Sequence, residues 1–98
     1  MKPLRTLRLA PATKEYLEEE EERDPSVRKV FDGLTWRLQH EENPPGYPLP
    51  DFHPPRYLIK KVYRLPVPRL LRLVYQMTER EVFIELAQVV DFHEQENS

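Results

Sequence analysis

Residues 69–76 read RLLRLVYQ, and the order of their side chains decides what kind of fold the chain can make. Successive side chains of an extended strand point to opposite faces, so Leu71, Leu73 and Tyr75 share one side while Leu70, Arg72, Val74 and Gln76 share the other. The first side is a core. The second holds a guanidinium that is costly to seal in apolar surroundings unless it is paired or wet. The stretch therefore predicts a strand with one packed face and one partly open face.

Its neighbours extend the pattern. A strand over 57–64 precedes it through Leu65-Pro66-Val67-Pro68, and a strand over 82–90 follows the polar turn at Thr78, Glu79 and Arg80. In the former, Tyr57, Ile59 and Tyr63 line up against Lys60 and Arg64. In the latter, Val82, Ile84, Leu86 and Val90 line up against Glu85. This is a meander with Arg72, Lys60 and Arg64 on its open face, and Glu85 is placed to neutralise one of them.

Upstream, residues 44–55 (PPGYPLPDFHPP) contain six prolines and form a stiff connector, not a helix or central strand. Before it, Asp24-Pro25 is a helix-start signal, because the carboxylate accepts orphan N–H groups and proline lacks a donor at the first helical position. Val27, Val30, Phe31, Leu34 and Leu38 then form one stripe at spacings of three and four. Trp36 lies opposite that stripe, so it either packs against the preceding helix, the favoured use, or lies in a contact surface. That helix, 11–23, is rich in helix formers and turns Ala12, Tyr16 and Leu17 inward, with Glu18 to Glu22 facing water. Gly33, inside the second helix, costs about 1 kcal/mol relative to alanine and suggests close helix approach. A short strand over 4–9, with Arg5, Leu7 and Leu9 on one side, begins the chain, and residues 92–98 read as a frayed tail.

The chain has 98 residues, enough for a single domain over 1–98 that buries roughly 60% or somewhat more of its unfolded surface. With 39% apolar and 33% charged residues the composition is globular, and no apolar stretch approaches the roughly 20 residues of a bilayer span. The N-terminus lacks the apolar run of a secretory signal, and the absence of cysteine agrees with a reducing compartment, so a cytoplasmic protein is expected. The net charge of −2 hides a sharp division. Residues 1–51 carry eight basic and eleven acidic groups, and residues 79–98 carry one and six. Between them lie Arg56, Lys60, Lys61, Arg64, Arg69 and Arg72 with no acid at all. Such a segment is an electrostatic footprint for phosphate or for an acidic partner.

Other chemistries lack their residues. Gly33 and Gly46, the two glycines, cannot build a nucleotide-binding loop, and no serine lies near a histidine in a nucleophile motif. The Asp-Phe-His triplet at 51–53 and 91–93 offers two imidazoles and two carboxylates. Nothing in the sequence brings connector and tail together, so neither a metal nor another cofactor is expected.

The order of elements, with Tyr57-Leu58-Ile59-Lys60 followed by Arg72-Leu73-Val74-Tyr75-Gln76, resembles the RelE/ParE superfamily of bacterial toxins over roughly residues 4–92. The resemblance implies an α+β fold in which an N-terminal helical hairpin packs on a small twisted antiparallel sheet. It also implies the toxin of a type II toxin–antitoxin pair, with a cognate antitoxin as partner. Many members cut messenger RNA on the ribosome. Attack by a ribose 2′-hydroxyl builds charge on a pentacoordinate phosphate and needs a fixed cation and proton-moving groups. Arg72 matches the family's sheet arginine, whose planar fork suits two phosphate oxygens, and Lys60 matches a family lysine facing the same site. Arg56, Lys61, Arg64 and Arg69, from the same cationic segment, are expected to add nucleic-acid contacts.

Three departures stand beside these matches. Leu58 occupies a position where ribonuclease members carry a lysine, the loop from Arg64 to Arg69 is longer than usual, and no tyrosine closes the chain. His93, with an unperturbed pKa of about 6.5, is the candidate acid or base near the end. An endoribonuclease is therefore the leading reading. A ParE-like inhibitor of DNA gyrase without catalytic groups, or an inactive member that only binds an antitoxin, stays open.

Overall fold

The meander appears strand for strand, but the sheet it belongs to is mixed. A computed structural model describes residues 2–63 and 69–91. Its elements are β1 (Thr6–Leu9), α1 (Pro11–Arg23), α2 (Pro25–His40), β2 (Tyr47–Leu49), β3 (Arg56–Tyr63), β4 (Arg69–Met77) and β5 (Glu81–Asp91). The strands lie in the order β1-β5-β4-β3-β2. The pairs β2–β3, β3–β4 and β4–β5 are antiparallel, whereas β1 runs parallel to β5. The expected fully antiparallel sheet is corrected on that point: the chain leaves β1 through the helical hairpin, enters the sheet again at its far edge, and meanders back to lie alongside β1. The proline-rich connector also supplies a strand of its own, the three-residue β2. Pro48 is tolerated there because β2 is an edge strand, where a missing N–H breaks no central ladder.

The helical hairpin forms where the sequence signals it. Asp24 separates the two helices, and its Oδ1 accepts from the Ser26 backbone N–H at 3.1 Å and from the Ser26 hydroxyl at 2.9 Å. Val27, Phe31, Leu34 and Leu38 of α2 are buried with Leu17 of α1 against Ile59, Leu71, Leu73, Tyr75, Val82, Ile84 and Ala87 of the sheet. Each fully buried aliphatic or aromatic side chain in this layer contributes roughly 1.5–3 kcal/mol. Thr13, not Ala12, is the buried residue in the first turn of α1, and its hydroxyl donates to the Glu85 carbonyl at 2.8 Å. The Tyr16 hydroxyl accepts from the Val89 N–H at 2.7 Å. Since β1 pairs with β5 only through Ile84, these two α1 side chains serve the edge of β5 beyond the end of β1.

Two further helix expectations are corrected. Trp36 does not pack on α1: the residue is 57% exposed and its ring stacks on His40 with centroids 4.3 Å apart. Gly33 marks no close helix approach, because a Cβ there would meet nothing within 4 Å.

Arg5 ties the layers together. It is buried beside Leu7 and Leu9, and its guanidinium donates to the carbonyls of Leu38 at 2.9 Å, Glu41 at 2.8 Å and Thr78 at 3.3 Å. A cation there satisfies carbonyls left over at the C-terminus of α2 and complements that end of the helix dipole. Gly46, at φ 140°, passes over Tyr75 so closely that a Cβ would collide with the Tyr75 hydroxyl. That hydroxyl donates to the Pro45 carbonyl at 2.6 Å and fastens the connector to the core.

One bulge redirects β5. Tyr75 faces Ile84 but Val74 faces Leu86, so Glu85 is an extra residue with no partner of its own on β4. Val82 and Ile84 point at the helices as expected. Beyond Glu85 the alternation shifts by one, and Ala87 and Val89 take the helix side while Leu86 turns out, 47% exposed. The expected line of Val82, Ile84, Leu86 and Val90 is therefore broken at its middle.

Candidate functional site

The face of the sheet turned away from the helices is banded. Register places Lys60, Arg72 and Gln88 side by side across β3, β4 and β5. The next row, about 7 Å along the strands, is Leu58, Val74 and Leu86. The third is Arg56, Gln76 and Phe83, continued by Arg8 on β1. An apolar strip thus separates a cationic row from a row mixing arginine, amide and aromatic groups.

The cationic row does little for folding. Like charges directly opposite each other in an antiparallel pair are destabilising, and Lys60 stands directly opposite Arg72. Among the described residues neither side chain is in an ion pair. The Arg72 Nε is moreover buried with no hydrogen-bond partner. An unsatisfied buried donor costs about 1–3 kcal/mol. Such an arrangement suits an anion that approaches from outside, accepts from the guanidinium fork and is shared with the neighbouring ammonium.

The arginines of the third row are already paired. Arg56 Nε donates to both Glu85 oxygens, at 2.9 and 3.1 Å, and its guanidinium lies 4.6 Å from the centre of the Phe52 ring. Gln76 Nε2 donates to the same carboxylate. Glu85 therefore neutralises Arg56 and leaves Lys60 and Arg72 as they are. At the other end Arg8 donates to Glu81 and lies 4.6 Å over the Phe83 ring.

The residues singled out by sequence are thus divided. Lys60 and Arg72 come together, with Arg56 on the same face but already paired. Lys61 and Arg69 alternate onto the helix side. Lys61 borders α2 near Val30 and Gly33, and Arg69 Nη1 donates to the Asp24 Oδ2 at 3.3 Å. Arg64 and His93 lie outside the described residues. Sequence reasoning missed Arg8, Gln76, Glu81 and Phe83 as a group. Arg8 alternates with Leu7 and Leu9, which points it outward, but nothing local announces that β1 lies beside β5.

Titration on the core side is governed by burial. Desolvation raises the Tyr75 phenol well above its ordinary range, with the stacked Tyr57 ring, 5.3 Å away, adding to the effect. Burial also raises the Tyr16 phenol, partly offset by its bond from Val89. Among the described residues the histidines are His40, on α2, and His53, in the connector, so no strand of the sheet carries an imidazole. The described residues contain no group of three metal-ligating side chains and no helix long and apolar enough to cross a membrane. No family model matches this chain, and neither a curated protein nor a solved structure matches it.

Proposed function

We propose that the chain is a RelE/ParE-like toxin of a type II toxin–antitoxin pair, acting in the cytoplasm as a ribosome-dependent messenger RNA endoribonuclease. The observation that supports this most is the cross-strand pair of Lys60 and Arg72, two cations held opposite each other with no carboxylate partner among the described residues and with a buried Nε that has no hydrogen-bond partner among them. In this reading the Arg72 fork takes the non-bridging oxygens of the scissile phosphate and Lys60 adds a second positive charge. Both interactions strengthen as attack by the 2′-hydroxyl builds negative charge on the non-bridging oxygens, before the P–O5′ bond breaks to leave a 2′,3′-cyclic phosphate and a protonated 5′-hydroxyl. His93 moves the proton. The cognate antitoxin would cover the same basic face with acidic groups, where charge complementarity speeds and orients association.

A second reading has its own support. Among the described residues no strand of the banded face carries a histidine, and Leu58 stands where catalytic members have a lysine. Both favour a toxin that binds without cleaving, as a ParE-like gyrase inhibitor does, or a member that only binds an antitoxin. Induced expression in a bacterial host separates the readings, with wild type beside Arg72→Ala and His93→Ala. The endoribonuclease reading expects growth arrest and cleaved messages with wild type, and relief by either substitution. Arrest with intact messages and inhibited supercoiling indicates the gyrase reading, and healthy growth of all three strains leaves antitoxin binding.

A further inference from the structure

At the far end of the same face from Lys60 and Arg72, Arg8, Pro54, Gln76, Thr78, Glu81 and Phe83 line a cavity of about 220 Å³. That is below the roughly 300 Å³ at which pockets for drug-sized ligands begin, so one planar base is the natural occupant. We infer that this cavity is a nucleobase subsite and that its preferred base is guanine. The inference rests on the RNA reading of the neighbouring cation pair and names what the adjoining part of the strand would meet.

Three observations support it. One wall is a π surface with a cation over it: the Phe83 ring carries the Arg8 guanidinium at 4.6 Å, and the Arg8 side chain is 63% exposed, leaving its outer face open. Single-stranded RNA is recognised by splayed bases stacked on aromatic rings or guanidinium planes, with hydrogen bonds to their edges. The second observation concerns acceptors. Among the described residues Arg8 occupies only one oxygen of Glu81, through Nε, so the other oxygen is open to a donor. Gln76 is held by Nε2 on Glu85, which leaves its carbonyl oxygen as a further acceptor. Guanine alone among the four bases presents two adjacent N–H donors, N1–H and the N2 amine, to a carboxylate. Its O6 is an acceptor for the remaining Arg8 donors.

The third observation is placement. Gln76 lies four residues from Arg72 on the same face of β4, about 13 Å away along the strand. The half-buried Val74 lies between them, flanked by Leu58 and Leu86. A strand whose phosphate sits on Arg72 can lay sugar and base atoms over this apolar strip and reach the cavity with a nearby base.

The test uses short 2′-O-methyl oligoribonucleotides, which cannot be cleaved by 2′-hydroxyl attack. One position is varied as guanine, inosine or adenine, and binding to the full chain is followed by fluorescence anisotropy. Loss of a well-formed edge contact changes affinity by about tenfold. Wild type is expected to favour guanine over inosine by about that factor, Glu81→Gln to erase the preference, and Arg72→Ala to weaken all three equally. A wild type indifferent to the base, still weakened by Arg72→Ala, overturns the subsite and leaves the phosphate reading intact. If no oligonucleotide binds, the phosphate reading fails, and titration with guanosine 5′-monophosphate decides the cavity separately. Shifts of the Phe83 ring and Gln76 amide resonances would support the subsite, and unmoved resonances would overturn it.

Discussion

Replacing Arg72 by methionine should make the protein more stable and less able to bind RNA. Among the described residues the Arg72 Nε is buried without an acceptor, at a cost of about 1–3 kcal/mol. Lys60 directly across the ladder adds a like-charge penalty of a few tenths to about 1 kcal/mol. Methionine keeps an unbranched stem of similar length beside Val74 and Leu70 and removes both penalties. Repacking of a volume-conserving swap takes back less than about 1.5 kcal/mol. The expected net gain is therefore about 1–2 kcal/mol, and in a domain of this size each kcal/mol moves Tm by roughly 4–8 °C.

Urea unfolding followed by far-ultraviolet circular dichroism measures this directly, with an unchanged m-value showing that the comparison is between like states. RNA binding supplies the other half. If Lys60 and Arg72 each neutralise one phosphate of a single strand, log affinity falls with log salt at a slope of about −1.4, and Arg72→Met brings it to about −0.7. A variant that loses 1 kcal/mol or more of stability would refute the reasoning, because the guanidinium would then be making bonds the fold needs. A salt slope unchanged by the substitution would refute the phosphate contact.

Arg5→Met should cost about 3–5 kcal/mol in urea unfolding, since charge-assisted bonds to the Leu38 and Glu41 carbonyls are lost and buried acceptors at the end of α2 are stranded. The two glycines should respond in opposite senses. Gly46→Ala destabilises by about 2 kcal/mol or more because of its positive φ and the collision with Tyr75, whereas Gly33→Ala, with open space around its Cβ, stabilises by up to about 1 kcal/mol. Stability should also fall in alkali. Tyr75 and Tyr16 have folded-state pKa values above the unfolded value near 10, so their contribution is complete below pH 10 and declines as the unfolded chain releases protons above it. Tyr75→Phe should flatten that decline in unfolding curves taken across the alkaline range.

The parts of this fold legible from sequence are those set by short-range pattern. Alternation over RLLRLVYQ sorted Leu71, Leu73 and Tyr75 from Arg72, and the Asp24-Pro25 signal marked the start of α2 to the residue. What escaped depends on contacts distant along the chain. Trp36 looks like a packing residue by type, yet it is exposed because the buried stripe of α2 runs along the helix's opposite side. Arg69 belongs to the cationic segment by composition, but its face follows parity with Leu71, and its partner Asp24 lies 45 positions away. The parallel pairing of β1 with β5 has no local signature, so the group formed by Arg8, Glu81 and Phe83 could not be assembled from the string of letters.

The Glu85 bulge links what was legible to what was not. In a regular β5 continuing the pairing of Tyr75 with Ile84, Glu85 would stand opposite Val74 and position 87 opposite Arg72, setting a carboxylate diagonally beside the cationic row. Diagonal neighbours on one face lie roughly 7–8 Å apart, within reach of long side chains. With the extra residue, neutral Gln88 faces Arg72 instead, and the Glu85 carboxylate is drawn to Arg56 and Gln76. Alternation alone gives the regular arrangement, which is why Glu85 was expected to neutralise Lys60, Arg64 or Arg72. One unpaired position in the ladder thus does two things. It turns Ala87 and Val89 into the core, and it withholds the Glu85 carboxylate from the pair of cations on which the proposed chemistry depends.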